Sequence, residues 1–378
     1  MRPLGWAALV VAAGSVVASL VLGWAELAAV GIVLTVALAA GGVQAVGRST
    51  YRVDLRLPVV RLKVGERAVA EVVVHNEGRR SLLPSYFTVP VGRRNVNYFV
   101  PTLRPEASHD EILSIPTQRR GVISLGPVTS VRGDGLGLVR REVQWTKSTD
   151  IFVHPEVVRL TPAGSGLLRD LEGQSLQIIS DSDISFHALR EYVPGDDRRH
   201  VHWKTTARVG ELMVRQFDDT RRTRTALLLS GHEADYLDRD EFELAVSVYA
   251  SLGAQSLIEE REVVAFAGSD TLRTGSRPYF LDDCSPLDLA AEHRPYQQLP
   301  AWVGAKIPDA SIAIFVVGST PTASELRAKL PLLDKGMSVF IFQCQRGTPP
   351  QVRELDDATV LSVGSLEQLV KLMRRVSM

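Results

Sequence analysis

Between Leu4 and Val46 the chain carries one charged side chain, Glu26. A helix that crosses a bilayer needs about 20 consecutive, predominantly apolar residues. Residues 4–22 and 27–46 each supply such a run, which predicts two transmembrane helices in a hairpin. Gly23-Trp24-Ala25-Glu26 reads as the turn, with Trp24 at the lipid–water boundary. Small residues recur four apart, at Gly14 and Ala18, Ser15 and Ser19, and Ala37, Gly41 and Ala45, a spacing that lets two helices approach closely in lipid. A signal peptide followed by a core helix is the competing reading. It fits less well, because a signal's apolar region runs to only about 7–15 residues.

The flanks set an orientation. Arg2 precedes the first span, and Arg48, Arg52, Arg56, Arg61 and Lys63 follow the second, whereas the link between the spans carries only Glu26. The positive-inside rule then places both ends, and all of residues 48–378, on the cytoplasmic side of the membrane. Two cysteines, Cys284 and Cys344, are too few for a disulfide framework and form no C-x-x-C pair; both read as small buried thiols.

Lysine plus arginine and aspartate plus glutamate both total 43 in the 378 residues, so the formal charge is zero. That argues against nucleic-acid binding through global basicity. The zero is a cancellation. Residues 48–155 carry 17 positive and 10 negative side chains, and residues 225–378 carry 14 and 21. Basic groups near an anionic leaflet are attracted by roughly 1 kcal/mol each, so residues 48–155 are expected to contact anionic lipid and the acidic C-terminal part to be held away.

Residues 48–155 read as a small β-sandwich. Ala68, Ala70, Val72 and Val74 alternate before Asn76-Glu77-Gly78, and residues 85–91, 98–103 and 111–115 are further β-rich runs. Pro84, Pro90, Pro101, Pro105 and Pro116 would break helices, and Gly126-Pro127 and Gly133-Asp134-Gly135 read as turns. Gly133, Gly135 and Gly137 lack the spacing and following helix of a dinucleotide fingerprint.

Residues 156–220 form a connector, Gly- and Ser-rich at first, that ends in the densest stretch of the chain at 189–219. That stretch contains Arg190-Glu191-Tyr192, then Pro194-Gly195-Asp196-Asp197, Arg199, Trp203-Lys204, Ala207-Arg208, and Val214-Arg215 with Phe217 before acidic residues. It resembles the signature of the bacterial domain of unknown function 58 family. The two N-terminal spans, the β module and a run from Arg119-Arg120-Gly121 to Gly137-Leu138 are also similar to that family. The resemblance implies a protein anchored in a bacterial plasma membrane, with a C-terminal domain like a von Willebrand factor A domain. Relatives are often encoded beside MoxR-type AAA+ ATPases, and no enzymatic activity is established for the family.

The signature also has a physical reading. Pro194-Gly195-Asp196-Asp197 has turn chemistry. Trp203 is a large apolar anchor, and Arg190, Arg199, Arg208 and Arg215 can form forked pairs with carboxylates such as Glu191, Asp196, Asp197, Asp218 and Asp219. The favoured reading, which includes Tyr192, is an ion-paired clamp fixing the connector against the C-terminal domain. The alternative is an anionic ligand or partner acid held by Lys204 and Arg208. His200 and His202 would face one side of a strand, but no third metal ligand stands at a suitable spacing.

Residues 221–378 alternate apolar strands (225–230, 263–267, 312–317, 339–343, 359–363) with helical patterns, the last at 365–376 with Leu366, Leu369, Val370 and Met373 on one face. This predicts a doubly wound α/β domain with a mostly parallel, buried sheet. The A-domain resemblance implies an Asp-x-Ser-x-Ser metal motif after the first strand. Here Ser230, His232 and Ala234 occupy those positions, so the site reads as degenerate unless Glu233 and Asp235 rebuild it. Ser230, Ser269, Asp270, Ser319 and Thr320 each follow an expected strand and should meet at the carboxyl edge of the sheet as a partner surface.

No phosphate-binding loop, nucleophile elbow or His-Glu-x-x-His pair is present, and no cofactor is implied. The expected function is a non-enzymatic, membrane-tethered adaptor or assembly factor working with a MoxR-type ATPase. Two alternatives stand beside it: a hydrolase-like enzyme acting on an anionic substrate through Lys204 and Arg208, and an extracytoplasmic envelope-binding module.

Overall fold

A computed structural model describes residues 3–45, 51–133, 140–160, 179–180, 185–193, 196–218, 224–334, 336–356 and 358–376. The chain divides into two compact units, Met1–Val153 and His154–Met378. The glycine-rich part of the connector, including Gly164-Ser165-Gly166, lies outside the described residues.

The first unit opens with helices α1 (Pro3–Leu22) and α2 (Ala25–Ala45), broken only at Gly23 and Trp24. Both are long and apolar enough to cross a membrane. Their close approach is at Gly31, where a Cβ would meet the Ala12 carbonyl oxygen at 3.1 Å, rather than at Gly14, where nothing lies within 4 Å. The four-residue spacing around Gly14 therefore does not mark the contact; Ala12 and Gly31 do, both being buried, and Gly41 of the second small-residue row is buried as well.

Ten strands follow: β1 (Tyr51–Arg56), β2 (Arg61–Lys63), β3 (Ala68–Asn76), β4 (Ser85–Val91), β5 (Arg94–Val100), β6 (Ser108–Ile115), β7 (Gly121–Leu125), β8 (Thr129–Gly133), β9 (Arg140–Gln144) and β10 (Thr149–His154). One sheet runs β1-β3-β6 and the other β2-β10-β7-β4-β8-β9, with β5 paired to β4. Alternate residues of both sheets enter one core. Ala70, Val72 and Val74 come from β3, Phe87, Val89 and Val91 from β4, and Leu113 and Ile115 from β6. Asn76, fully buried at the end of β3, is an apolar-core exception with a reason. Its Nδ2 donates to the Leu103 and Arg104 carbonyls, each at 3.0 Å, and its Oδ1 accepts from Gly78 N at 2.9 Å, tying the turn to the loop before β6.

The second unit contains a small sheet, β11 (Ile179–Ser180), β13 (Met213–Asp218) and β12 (Ser185–Glu191) in that spatial order, with helix α3 (Trp203–Val209) between β12 and β13 in the chain. A seven-stranded sheet follows, built from β14 (Arg224–Leu229), β15 (Glu262–Ala267), β16 (Asp270–Leu272), β17 (Ile312–Val317), β18 (Ser338–Cys344), β19 (Gln351–Leu355) and β20 (Ala358–Val363). Its order is β16-β15-β14-β17-β18-β20-β19; the five inner strands are parallel and the two edge strands antiparallel.

The inner strands are apolar throughout because both faces are covered. Leu227, Leu229, Ile314, Val316, Phe340 and Phe342 pack on the face that holds α4 (Arg239–Ile258), α5 (Arg277–Cys284) and α8 (Leu366–Val376). Ala226, Leu228, Phe315, Val317 and Ile341 pack on the face that holds α6 (Leu299–Lys306) and α7 (Ala323–Ala328). The amphipathic pattern of α8 is real, with Leu369, Leu372 and Met373 fully buried. Residues 154–160 join this unit: Leu160 enters its core, and His154 Nε2 pairs with the buried Asp282 at 2.8 Å. Cys284 and Cys344 are fully buried and form no disulfide, and burial pushes the Cys344 thiol well above its ordinary range.

Candidate functional site

The signature folds as a strand, a turn, a short helix and a return strand. Asp196 and Asp197 shape the turn: Val193 N donates to Asp196 Oδ2 at 2.8 Å, and Arg199 N donates to Asp197 Oδ1 at 2.9 Å. Arg199 also reaches Asp197, at 3.8 Å, but its side chain is 90% exposed. Screening leaves such a pair worth little. Arg190 and Arg215 occupy β12 and β13, where Arg190 lies opposite Val214 and Arg215 opposite Leu189. Pro194 and Gly195 lie outside the described residues. Tyr192 is half-buried, and its N–H donates to the Leu212 carbonyl at 2.8 Å.

His202 caps α3. Its Nδ1 accepts from Thr205 N at 3.3 Å and lies 2.7 Å from Thr205 Oγ1. The expectation that His200 and His202 share one side of a strand fails, because residues 198–200 form a 3₁₀ turn and His202 spends a ring nitrogen on the cap. The helix is pinned to β13 by His202 N donating to the Met213 carbonyl at 2.7 Å and by Met213 N donating to Thr206 Oγ1 at 3.0 Å. Val201 and Val214, bridged to each other, bury the base.

No residue of α3 itself is buried. Trp203, expected as an anchor, is 66% exposed, and Val193, Val209 and Leu212 nearby in the chain are also exposed. Lys204 and Arg208, four apart on one helix ridge beside Trp203 and Ala207, are exposed and form no ion pair with a described residue. Within the signature, Asp196 and Asp197 accept from N–H groups of the turn, and Trp203, Lys204 and Arg208 face solvent.

The second candidate is the carboxyl edge of the large sheet. The strand order changes direction between β14 and β17, whose following helices cover opposite faces; open α/β sheets place ligands at such a point. Here the crevice is filled by the loop after β14. Ser230 is fully buried, and its Oγ donates to Asp235, whose Oδ2 also accepts from Tyr296 N at 2.8 Å. Tyr236 OH donates to the Ser230 carbonyl at 2.6 Å. Glu241, also buried, accepts from Leu237 N at 2.6 Å and from Ser319 N at 3.0 Å, bridging the ends of both strands. Gly318 is required here, because a Cβ would overlap the Asp235 carbonyl oxygen.

Ser230 thus drops out of the expected partner surface. Ser269, Asp270 and Thr320 are exposed and Ser319 is half-buried. Of the residues at the degenerate metal motif, His232 caps a 3₁₀ turn by accepting from Ala234 N at 3.1 Å, and Ala234 is exposed. Glu233 points to solvent while Asp235 is buried, so the two carboxylates do not converge. Desolvation raises the Asp235 pKa above its ordinary value, against the opposing effect of its bonds to Ser230 and Tyr296 N. Among the described residues no three His, Cys, Asp or Glu side chains are grouped to hold a metal. Sequence reasoning missed Glu241, Tyr236 and Tyr296. Only Glu241 left a trace, as the fourth residue of Asp238-x-x-Glu241 at the start of α4, where Asp238 Oδ1 caps Glu241 N at 2.8 Å.

These elements define a class: two apolar N-terminal helices, an antiparallel β module, and an α/β unit preceded by a small sheet with an exposed helix. Within it, residues 188–274, from β12 through β16, match the family model described as "Protein of unknown function DUF58". A 121-residue stretch is 31% identical to the uncharacterized protein YeaD of Bacillus subtilis (strain 168), covering 32% of this chain and 29% of that relative's length. Among solved structures, a CARDB domain from Pyrococcus furiosus aligns with 28% of this chain and 93% of its own at 15% identity and a TM-score of 0.22. The alkylpurine DNA glycosylase AlkC of Pseudomonas fluorescens aligns with 36% of this chain and 42% of its own at 13% identity and a TM-score of 0.20. Neither likeness bears on fold or function here.

Proposed function

We propose that this protein is a membrane-tethered adaptor or assembly factor, with its β module and α/β unit on the cytoplasmic side, and that it docks a partner through the α3 face. One observation carries the reading: Trp203 is 66% exposed on a helix that hydrogen bonds hold rigidly to β13, beside the exposed Lys204 and Arg208. An exposed indole with flanking cations has the composition of an interface anchor rather than of an idle surface. The partner suggested by the family resemblance is a MoxR-type AAA+ ATPase. The α/β unit is read as von Willebrand factor A-like. Its parallel strand order, second-first-third-fourth-fifth, supports this, as does the loop packed into the crevice where a metal-binding relative would hold its ion.

The orientation rests on the basic flank after α2. The basic balance of residues 48–155 further supports contact between the β module and anionic lipid.

The test is photo-crosslinking in intact cells from position 207, one turn along α3 from Trp203. Adducts to the ATPase support the proposal. If adducts form from an exposed β-module position and none from 207, the α3 docking reading fails.

A further inference from the structure

A cavity of about 610 Å³ opens beside the carboxyl ends of β14 and β15. It is separate from the α3 face and from the filled crevice, and sites for small ligands commonly have this volume. Its apolar lining includes Leu229, Phe242, Ala267, Leu272, Leu287 and Leu289. One wall depends on a particular local geometry. Gly268 has φ +59°, and a Cβ there would lie 2.8 Å from the His293 ring. The absent side chain lets His293 lie against the strand ends, where its Nδ1 donates to the Gly231 carbonyl at 3.1 Å.

The polar lining is one-sided. Asp270, Asp283 and Asp288 line the cavity, and Arg273 is its one arginine or lysine. That arginine is already committed, because its Nη2 and Nε reach Asp283 Oδ1 and Oδ2 at 2.6 and 3.0 Å. Asp288 is held by Arg239. Asp270 is exposed on the edge strand β16 and makes no ion pair with a described residue. The cavity therefore offers apolar walls and acceptors, with its local cations spent, and an acceptor-rich apolar site is complemented by a donor-bearing cation on an apolar stem.

We propose that this cavity binds an ammonium or guanidinium group carried on an apolar stem. Two sources share that chemistry: a basic side chain flanked by apolar residues in a peptide, and a small free amine. The proposal does not rest on docking at α3.

The test is titration calorimetry on the full chain in nanodiscs, with empty nanodiscs subtracted. The probes are acetyl-Leu-Arg-Leu-amide, its neutral counterpart acetyl-Leu-Gln-Leu-amide, and agmatine. Saturable binding of the arginine peptide or of agmatine, with the glutamine peptide at least about tenfold weaker, is the expected result. Which of the two binds tells a peptide source from a free amine. Asp270→Asn should weaken the cationic probe by about tenfold and Asp270→Lys should abolish it. Both leave the fold intact because Asp270 is exposed, and an unchanged melting temperature checks that. The proposal is overturned if neither cationic probe binds saturably, if the glutamine peptide binds as well as the arginine peptide, or if Asp270→Asn binds like wild type.

Discussion

The Ser230 hydroxyl donates to the carboxylate of Asp235, and this bond closes the carboxyl-edge crevice of the large sheet from within. Both residues are buried, and the same Asp235 oxygen accepts from Tyr296 N at 2.8 Å, so one carboxylate joins the loop after β14 to the segment that leads into α6.

That carboxylate titrates with a sign that can be checked. Burial raises its pKa in the folded state above its unfolded value. A raised acid contributes stability that is fully present below the unfolded pKa and lost as pH rises through the folded pKa. Asp235→Asn keeps an acceptor oxygen and removes the charge. Its melting temperature relative to wild type should therefore climb as pH rises from about 4 through that window. A difference that stays flat or falls with pH contradicts the assignment.

Asn76 makes the opposite kind of prediction, since it is neutral and fully bonded inside the β module. Asn76→Ala removes the Nδ2 bonds to the Leu103 and Arg104 carbonyls, which keep Leu82 N and Ala107 N as donors, and takes the acceptor from Gly78 N. It should cost about 1–3 kcal/mol by denaturant unfolding of the full chain. Phe87→Ala, at a fully buried ring between the two sheets, should cost about 3–5 kcal/mol.

Lys204→Ala and Arg208→Ala separate a docking surface from a clamp. Neither side chain is buried or ion-paired with a described residue, so each variant should stay within about 0.5 kcal/mol of wild-type stability. Destabilisation by several kcal/mol in both would favour the clamp.

Topology can be probed with thiols. Cys284 and Cys344 are buried, and Cys344 is held protonated by burial, so the folded chain should resist labelling from either side of the membrane. A cysteine introduced at the exposed Ser269 should react with an impermeant reagent only in inside-out vesicles. Labelling in intact cells would place the α/β unit outside.

The faces of this molecule were written in its sequence more plainly than its contacts. Period and length located α1 and α2, and uninterrupted apolar runs such as Ile312–Val317 announced strands covered on both sides. What was not legible depends on partners distant in the chain. Nothing near Asp235 says that its acceptor bond comes from residue 296, and nothing near Gly31 says that Ala12 faces it. Trp203 is the instructive case. Size and hydrophobicity argue for burial, but α3 has seven residues and is satisfied by β13 through backbone and threonine bonds, leaving the indole outside.

The most direct test of the account is co-purification of the full chain from its own membrane, wild type beside Trp203→Ala. The account predicts that a MoxR-type ATPase accompanies the wild-type chain and is lost from the variant, while the variant's abundance and melting temperature stay unchanged. Equal recovery of the ATPase with both chains, or no ATPase with either, would contradict it.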